Sequence, residues 1–396
     1  MKRYQKSLDL HEMWQGKLEI TVKAPINNAE DLSQAYSPGV AGPCIEIANE
    51  KDSIYKYTMK GNTVAVISNG TAVLGLGDIG AEAAIPVMEG KSALFKRFAG
   101  INSVPLCLDT RDAEDFIRTV KNLAPVFGGI NLEDIAAPDC FYIEERLKEE
   151  LDIPVFHDDQ HGTAIVVAAA LLNAGKLVGK EISEMKIVIN GAGAAGIAIA
   201  KLLHSFEANE IIVCDTKGAI YKGRPLGMNG LKDVIAEFTN LQRKRGDLSD
   251  VIQGADVFIG VSAAGALTAQ MIKSMDKDSI VFALANPTPE IMPEEAKLAG
   301  VRVIGTGRSD YPNQINNLLA FPGIFKGALQ VRASQINEDM KREAAKAIAS
   351  LVSIEELSEE YVVPNPFDSR VVDSVAQAVA MSACRSGKGL LCEVLV

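Results

Sequence analysis

The sequence predicts an α/β protein of two domains, the second a doubly wound parallel sheet, and three observations carry this reading. From residue 63 onward, short apolar runs alternate with helical runs, as expected where helices cover both faces of a sheet. A glycine run, Gly191-Ala192-Gly193-Ala194-Ala195-Gly196, lies between the buried-strand pattern Lys186-Ile187-Val188-Ile189-Asn190 and a helical run at 197–204. In the first half, two apolar stretches each end in paired acids, Glu133-Asp134 and Asp158-Asp159. The expected division is an N-terminal α/β substrate and metal domain at 1–160 and a Rossmann-type dinucleotide-binding domain at 161–360. A C-terminal helical segment at 361–396 could pack back on the first.

Composition bounds the function. At 396 residues, 47% hydrophobic and 23% charged, the chain has ordinary globular proportions and ample length for two cores. A net charge of −11 argues against nucleic acid as a partner, and an anionic substrate would need a locally basic pocket. The six cysteines include no CxxC and read as small core residues in a reducing cytoplasm. The charged start does not resemble a signal-peptide core, and no apolar run approaches the ~18 residues of a membrane span.

In chain order, the first 30 residues read as mixed helix and loop. Tyr36-Ser37-Pro38-Gly39 is an aromatic before a Pro-Gly turn, the usual setting of a structural anchor. Strands are expected at 63–67 and 72–74, followed by Gly75-Leu76-Gly77-Asp78-Ile79-Gly80. That GxGxxG match is a poor dinucleotide site. Pro86 and Gly90 interrupt the following helical run, and the next strand's acid, Asp109, lies 34 positions after Gly75 rather than about 20. Lys91, Lys96 and Arg97 could supply positive charge to a pocket. Further strands are expected at 104–108 and 125–127, with helices at 112–123 and 139–151.

The acidic pairs then stand at the carboxyl ends of successive strands, where open α/β sheets bind ligands. Hard oxygen donors without a thiolate suit Mg²⁺ or Mn²⁺. Asp158-Asp159 could instead cap the following helix at 164–172. Zinc on His157 and His161 is a further alternative, weakened by Gly162 and turn-like surroundings that argue against an intact helix.

In the second domain, the strand at 210–214 is closed by Asp215, 24 positions after Gly191, where an acid accepts the ribose hydroxyl of a dinucleotide. A like-charged 2′-phosphate is disfavoured there, so NAD⁺ is expected ahead of NADP⁺, with Lys217 and Lys222 able to offset the repulsion. Ser262 ends the strand unit at 256–262, Asn286 ends that at 279–285, and a third lies at 301–304. Asn316 and Asn317 precede a loop, and helices are expected at 341–352 and 369–386.

Together these motifs resemble the malic enzyme family in its compact bacterial form. Tyr36-Ser37-Pro38-Gly39-Val40-Ala41, Leu74-Gly75-Leu76-Gly77-Asp78, Gly90-Lys91, Glu133-Asp134, Asp158-Asp159, the Gly191–Gly196 run, Asn286-Pro287-Thr288 and Asn316-Asn317 occur in the family's order. The resemblance implies oxidative decarboxylation of L-malate to pyruvate and CO₂ with NAD⁺ or NADP⁺ and Mg²⁺ or Mn²⁺. It implies Glu133, Asp134 and Asp159 as metal ligands with Asp158 beside them, Lys91 as general base and Tyr36 as general acid. Asn286 and Asn317 match positions that contact substrate or nicotinamide. As a base, Lys91 must be neutral, so burial or a nearby cation is expected to lower its pKa from about 10.4. Longer relatives carry an arginine where this chain has Ala72, so recognition of the substrate carboxylate differs here. The resemblance and the apolar terminal helices also imply a homodimer. The rival functions are a two-domain amino-acid dehydrogenase, which needs no acidic metal cluster, and a non-catalytic NAD-responsive binding protein, which need not keep Lys91.

Overall fold

The computed structural model describes residues 4–73 and 75–395. Four short helices open the chain: α1 (Gln5–Trp14), α2 (Ala29–Ala35), α3 (Ala41–Asn49) and α4 (Ile54–Tyr57). A parallel sheet of order β2-β1-β3-β4 follows, built from β1 (Thr63–Ser68), β2 (Asn102–Cys107), β3 (Gly129–Leu132) and β4 (Val155–His157). Its crossovers are α5 (Ala81–Leu94), α6 (Ala113–Leu123) and α7 (Asp139–Glu150). β3 and β4 are neighbours, with Leu132 opposite His157, so the next residues on each strand, Glu133 and Asp158, leave the sheet side by side. That register is why two acidic pairs 25 residues apart converge, as the strand-end pattern predicted.

Three expectations for this half fail. Residues 72–73 are not a strand: Val73 makes an isolated bridge to Gly77, and Leu74 lies outside the described residues. Ala124–Val126 is a 3₁₀ turn, because Pro125 sits in its first positions and the strand starts only at Gly129. The helix α5 runs unbroken through Pro86 and Gly90. Proline removes one backbone donor, and packing of α5 against β1 and β2 outweighs that loss.

α8 (Asp158–Val178) leads from the first sheet to the second. It is long and apolar enough to cross a membrane by composition, yet 67% of that window is buried, because it is the central helix of a shared core. The second sheet has the order β10-β9-β8-β5-β6-β7. Its strands are β5 (Lys186–Asn190), β6 (Glu210–Asp215), β7 (Gly218–Ala219), β8 (Val257–Gly260), β9 (Ile280–Ala283) and β10 (Val303–Thr306). All pair in parallel except β7, which returns antiparallel to β6. α9 (Ala194–Ser205), α10 (Gly230–Ala236), α11 (Leu248–Val251), α12 (Ala269–Ser274) and α13 (Pro293–Ala299) flank it. Along β5, Ile187 and Ile189 enter one core and Val188 the other, the mark of a sheet buried on both faces. The strand order reverses between β6-β5 and β5-β8, which opens a crevice beyond the carboxyl ends of β5 and β8.

Three last helices close the structure: α14 (Phe321–Gln330), α15 (Glu338–Ser350) and α16 (Arg370–Arg385). α16 packs chiefly on α14 and α15. α14 carries Phe321 and Phe325 against Phe95, just beyond α5. One apolar core therefore runs from β1 and α5 through α8 to α14 and α16. The cysteines depart from expectation: Cys384 and Cys392 form a disulfide, and Cys44 is exposed. Only Cys140 and Cys214 are buried thiols, and Cys107 is half-buried.

Candidate active site

The acids at the ends of β3 and β4 enclose one ammonium group. Lys91, in the last turn of α5 and 7% exposed, lies 2.5 Å from Asp158 Oδ2 and 2.9 Å from Glu133 Oε1. Its Nζ also stands over the Phe321 ring, 4.2 Å from the centroid. Asn317 donates to the same Asp158 oxygen, tying the first sheet to the segment before α14. Asn131, two residues before Glu133 on the same face of β3, donates to Glu133 Oε2 at 2.8 Å. The Asp134 N–H, on a residue with φ of 53°, donates to Asp159 Oδ2 at 2.8 Å. Gly162 is required here. A Cβ at that position would stand 2.0 Å from Asp158 Oδ1.

Electrostatics mark a site with too much buried negative charge. Three carboxylates, Glu133, Asp158 and Asp159, act on the Lys91 ammonium, and Asp134 is buried beside them. Burial raises Glu133 and Asp158 to about 7 and Asp159 to about 6, against the pull of Lys91. Burial also works to lower Lys91, but Asp158 and Glu133 together outweigh it, and its ammonium is held above the ordinary lysine range. This corrects the expectation of a lowered Lys91. Among the described residues the charges beside it are carboxylates, with no cation to lower it.

Among the described residues, no three His, Cys, Asp or Glu side chains are posed as a finished metal-ligand set. The donor chemistry nevertheless fits a hard divalent cation. The acids outnumber their counter-charge, and the buried Asp158 Oδ1 and Asn131 Oδ1 lack hydrogen-bond partners. Zinc on the histidine pair does not fit, though not for the reason the sequence offered. α8 begins at Asp158 and passes through Gly162 intact. Instead, both ring nitrogens of His161 are engaged: Nε2 with Glu144 at 2.8 Å, Nδ1 with Lys341 Nζ at 3.0 Å. An ammonium can only donate, so Nδ1 accepts and Nε2–H donates, which fixes a neutral tautomer. Burial accordingly lowers His161 to about 4.

Tyr36 is not brought to this cluster. It ends α2, is 69% exposed, and makes no hydrogen bond to the acids among the described residues.

The dinucleotide crevice is built by glycines at two close approaches. Gly191 has φ of +122°, and a Cβ there would meet Val261 O at 2.4 Å; one on Gly196 would meet Gly191 O at 1.8 Å. Gly193 has open space before it, and with Ala192, Ala194 and Ala195 it leaves the N-terminus of α9 clear for a pyrophosphate. Ser262 lies across the crevice, but its hydroxyl bonds Asn190 and Glu290. Asn286 is half-buried, and its carbonyl faces Gly75 of the first domain's glycine loop.

Asp215 stands at the end of β6 as expected, but its carboxylate is already taken. Arg224 binds it at 2.8 and 2.5 Å, Lys232 at 2.6 Å, and the Lys217 N–H at 2.8 Å. Burial opposes ionisation, yet these bonds hold the acid well below its usual range. Of the two lysines expected to approach, Lys217 contributes only its backbone here and Lys222 pairs with Glu237. Arg224 and Lys232 gave no signal in the sequence, since they lie on loop and helix 9 and 17 positions away.

A two-sheet protein with a glycine-lined dinucleotide crevice facing a buried acidic corner belongs among the nicotinamide-dependent dehydrogenases. Comparison with known proteins specifies which. Residues 15–148 match the family model for the malic enzyme N-terminal domain, and residues 160–386 that for the malic enzyme NAD-binding domain. The chain is 63% identical to the bifunctional malic/malolactic enzyme of Bacillus subtilis, over 98% of this chain and 94% of that protein. It is 58% identical to an NAD-dependent malic enzyme of Geobacillus stearothermophilus, over 94% and 77% respectively. The crystal structure of a malic enzyme from Pyrococcus horikoshii superposes with a TM-score of 0.93 at 49% identity, covering 98% of this chain and 92% of that one. The chain belongs to the malic enzyme family.

Proposed function

We propose that malate is oxidised and decarboxylated in the cleft between the Lys91 corner and the glycine crevice, by the residues gathered there. The overall reaction is the family's: malate and NAD(P)⁺ give pyruvate, CO₂ and NAD(P)H. The observation that carries the site assignment is Lys91, buried between Asp158 and Glu133 where Asn317 reaches across from the dinucleotide side. A divalent cation, Mg²⁺ or Mn²⁺, would be held by Glu133, Asp134 and Asp159, and would supply a Lewis acid for the C2 oxygen and the enolate charge. Glu133 already meets Lys91 through Oε1 and Asn131 through Oε2, so a cation held there would compete for one of the two carboxylates that keep Lys91 protonated. Asp158 and Asn317 retain the lysine's position.

Neutral Lys91 then takes the C2 hydroxyl proton as the C2 hydride passes to the nicotinamide. The C3–C4 bond of the keto acid breaks, releasing CO₂ and leaving its electron pair in the enolate. Tyr36 returns a proton to C3. Because Tyr36 is exposed in the single chain, it must be covered by domain closure or by assembly before it can act. Malate-dependent NAD(P)H formation should cease in excess chelator. Lys91→Ala should stop hydride transfer, whereas Tyr36→Phe should impair protonation of added enolpyruvate more than NAD(P)H formation. Positioned acid–base groups contribute ~10²–10⁴-fold, so losses under tenfold in both variants would reject these roles.

Cofactor choice turns on Asp215. With Arg224 and Lys232 both on its carboxylate, the ribose position carries two cations against one anion. A 2′-phosphate would meet net positive charge, while a ribose 2′-hydroxyl can still share the Asp215 oxygens. This supports use of both NAD⁺ and NADP⁺ rather than strict NAD⁺ preference. Lys232→Gln should lower kcat/KM for NADP⁺ at least tenfold and change that for NAD⁺ less than threefold, at saturating malate and metal. Equal losses for both cofactors would contradict the assignment.

The N-terminal segment supports a homodimer. α1, α2 and α3 bury no residue, and Met13, Ile20, Val22 and Ile45 are 68, 101, 76 and 59% exposed. Helices of 7–10 residues are marginal without tertiary packing, so a second copy covering this apolar face accounts for their order. Light scattering at micromolar concentration should give twice the 42.3 kDa chain mass, and a monomeric mass would contradict this.

A further inference from the structure

Glu290, between β9 and α13, is fully buried and has no ion pair among the described residues. Burying an acid away from any cation is costly unless hydrogen bonds replace the lost water. Here both oxygens accept. The Ser262 N–H and hydroxyl donate to Oε1 at 2.8 and 3.1 Å, and the Ala285 N–H donates to Oε2 at 3.0 Å. The Ser262 hydroxyl in turn accepts from the Asn190 amide at 2.8 Å. Gly260, the last residue of β8, leaves the space: a Cβ there would stand 2.6 Å from Oε1. Asn190, Ser262 and Ala285 stand at or just beyond the ends of β5, β8 and β9, so one side chain ties three strand ends on one side of the strand-order reversal. The other side is held separately. The Gly191 N–H donates to Cys214 O at 2.9 Å, and Arg224 and Lys232 fix Asp215.

We propose that Glu290 is a positioning residue for hydride transfer, setting the spacing of the Ser262 and Asn286 loops on which the nicotinamide ring rests. This deepens the reading of the reaction given above and rests on it. A dinucleotide with its adenosine ribose at Asp215 and its pyrophosphate at the N-terminus of α9 extends its nicotinamide over the ends of β8 and β9. Those are the loops that Glu290 joins. The acid is not needed to keep its own segment in place, because the Leu267 N–H already donates to Glu290 O at 3.1 Å. An apolar side chain would fill a buried position there at lower cost. What the carboxylate adds is acceptor geometry. It turns the Ser262 hydroxyl toward itself and leaves that oxygen to accept from Asn190. A glutamine of the same size cannot do this, since either orientation of its amide sets an NH₂ against an N–H donor of Ser262 or Ala285. One of the ties then opens, and a displacement of about 1 Å at a reacting group can cost ~10²-fold in rate.

The test compares wild type with Glu290→Gln and with Gly260→Ala, which keeps the acid but displaces it. NADH and ADP-ribose, which lacks the nicotinamide, are titrated calorimetrically into the full chain. Both variants should bind NADH at least fivefold more weakly and ADP-ribose within twofold of wild type. At saturating malate, cofactor and Mg²⁺, kcat should fall at least tenfold while KM for malate changes less than threefold. The isotope effect from malate deuterated at C2 should exceed that of wild type, because hydride transfer becomes slower relative to the other steps. Wild-type kcat with an unchanged isotope effect in either variant would overturn the proposal. So would equal losses of NADH and ADP-ribose affinity, which would make Glu290 a general brace of the domain. If Glu290→Gln does not fold, Gly260→Ala decides. If the wild-type enzyme itself fails to oxidise malate, the reading of the reaction fails, whereas the comparison of NADH with ADP-ribose remains independent of it.

Discussion

Three carboxylates crowded around one buried lysine, with a fourth acid alongside, are the constraint on which the structure turns. The parallel pairing of β3 with β4 puts Glu133 and Asp158 side by side, and chain continuity adds Asp134 and Asp159. Isolated carboxylates in low dielectric are costly, and nearby like charge compounds the cost. Burial raises the acids toward neutrality, while Lys91 is driven the other way. An arrangement selected for stability alone would carry no such excess. It is suited to receive positive charge, and cation binding would in turn release the lysine for proton transfer.

Much of the surrounding architecture serves this corner. Gly162 leaves room for the Asp158 carboxylate to fold back over the first turn of α8. Glu144 and Lys341 hold His161 one turn along the same helix, each bonded to a different ring nitrogen. Phe321 and Phe325 pack on Phe95 directly after α5, which fixes the end of the helix that delivers Lys91. The segment that supplies those rings also supplies Asn317, so packing and chemistry are coupled across the two sheets.

The sequence made the scaffold legible because periodicity reports burial. β5, β6, α7 and α16 fall within a residue or two of the positions their patterns predict. The acidic pairs and the Gly191–Gly196 turn were legible because each needs a particular residue type at a strand end. What escaped was set by tertiary contact. Pro86 reads as a helix breaker, but α5 is held by the sheet beneath it. Gly162 reads as a turn, but it answers to the Asp158 carboxylate. Lys91 can be located from sequence, yet its protonation depends on which charges surround it, and those come from β3 and α8. Arg224 and Lys232 reach Asp215 from separate segments, so the region selecting the cofactor could be read only in part.

The most direct test of the central claim is proton release on metal binding. Mn²⁺ would be titrated calorimetrically into metal-free enzyme at pH 6.5, in two buffers of different ionisation enthalpy. With Glu133 at about 7 and Asp159 at about 6 in the metal-free protein, the first is largely and the second partly protonated at that pH, and both must lose those protons to hold the cation. The account predicts release of about one proton or more per metal bound, and a clearly smaller value for Glu133→Gln. Binding without proton release, or no binding at all, would contradict it.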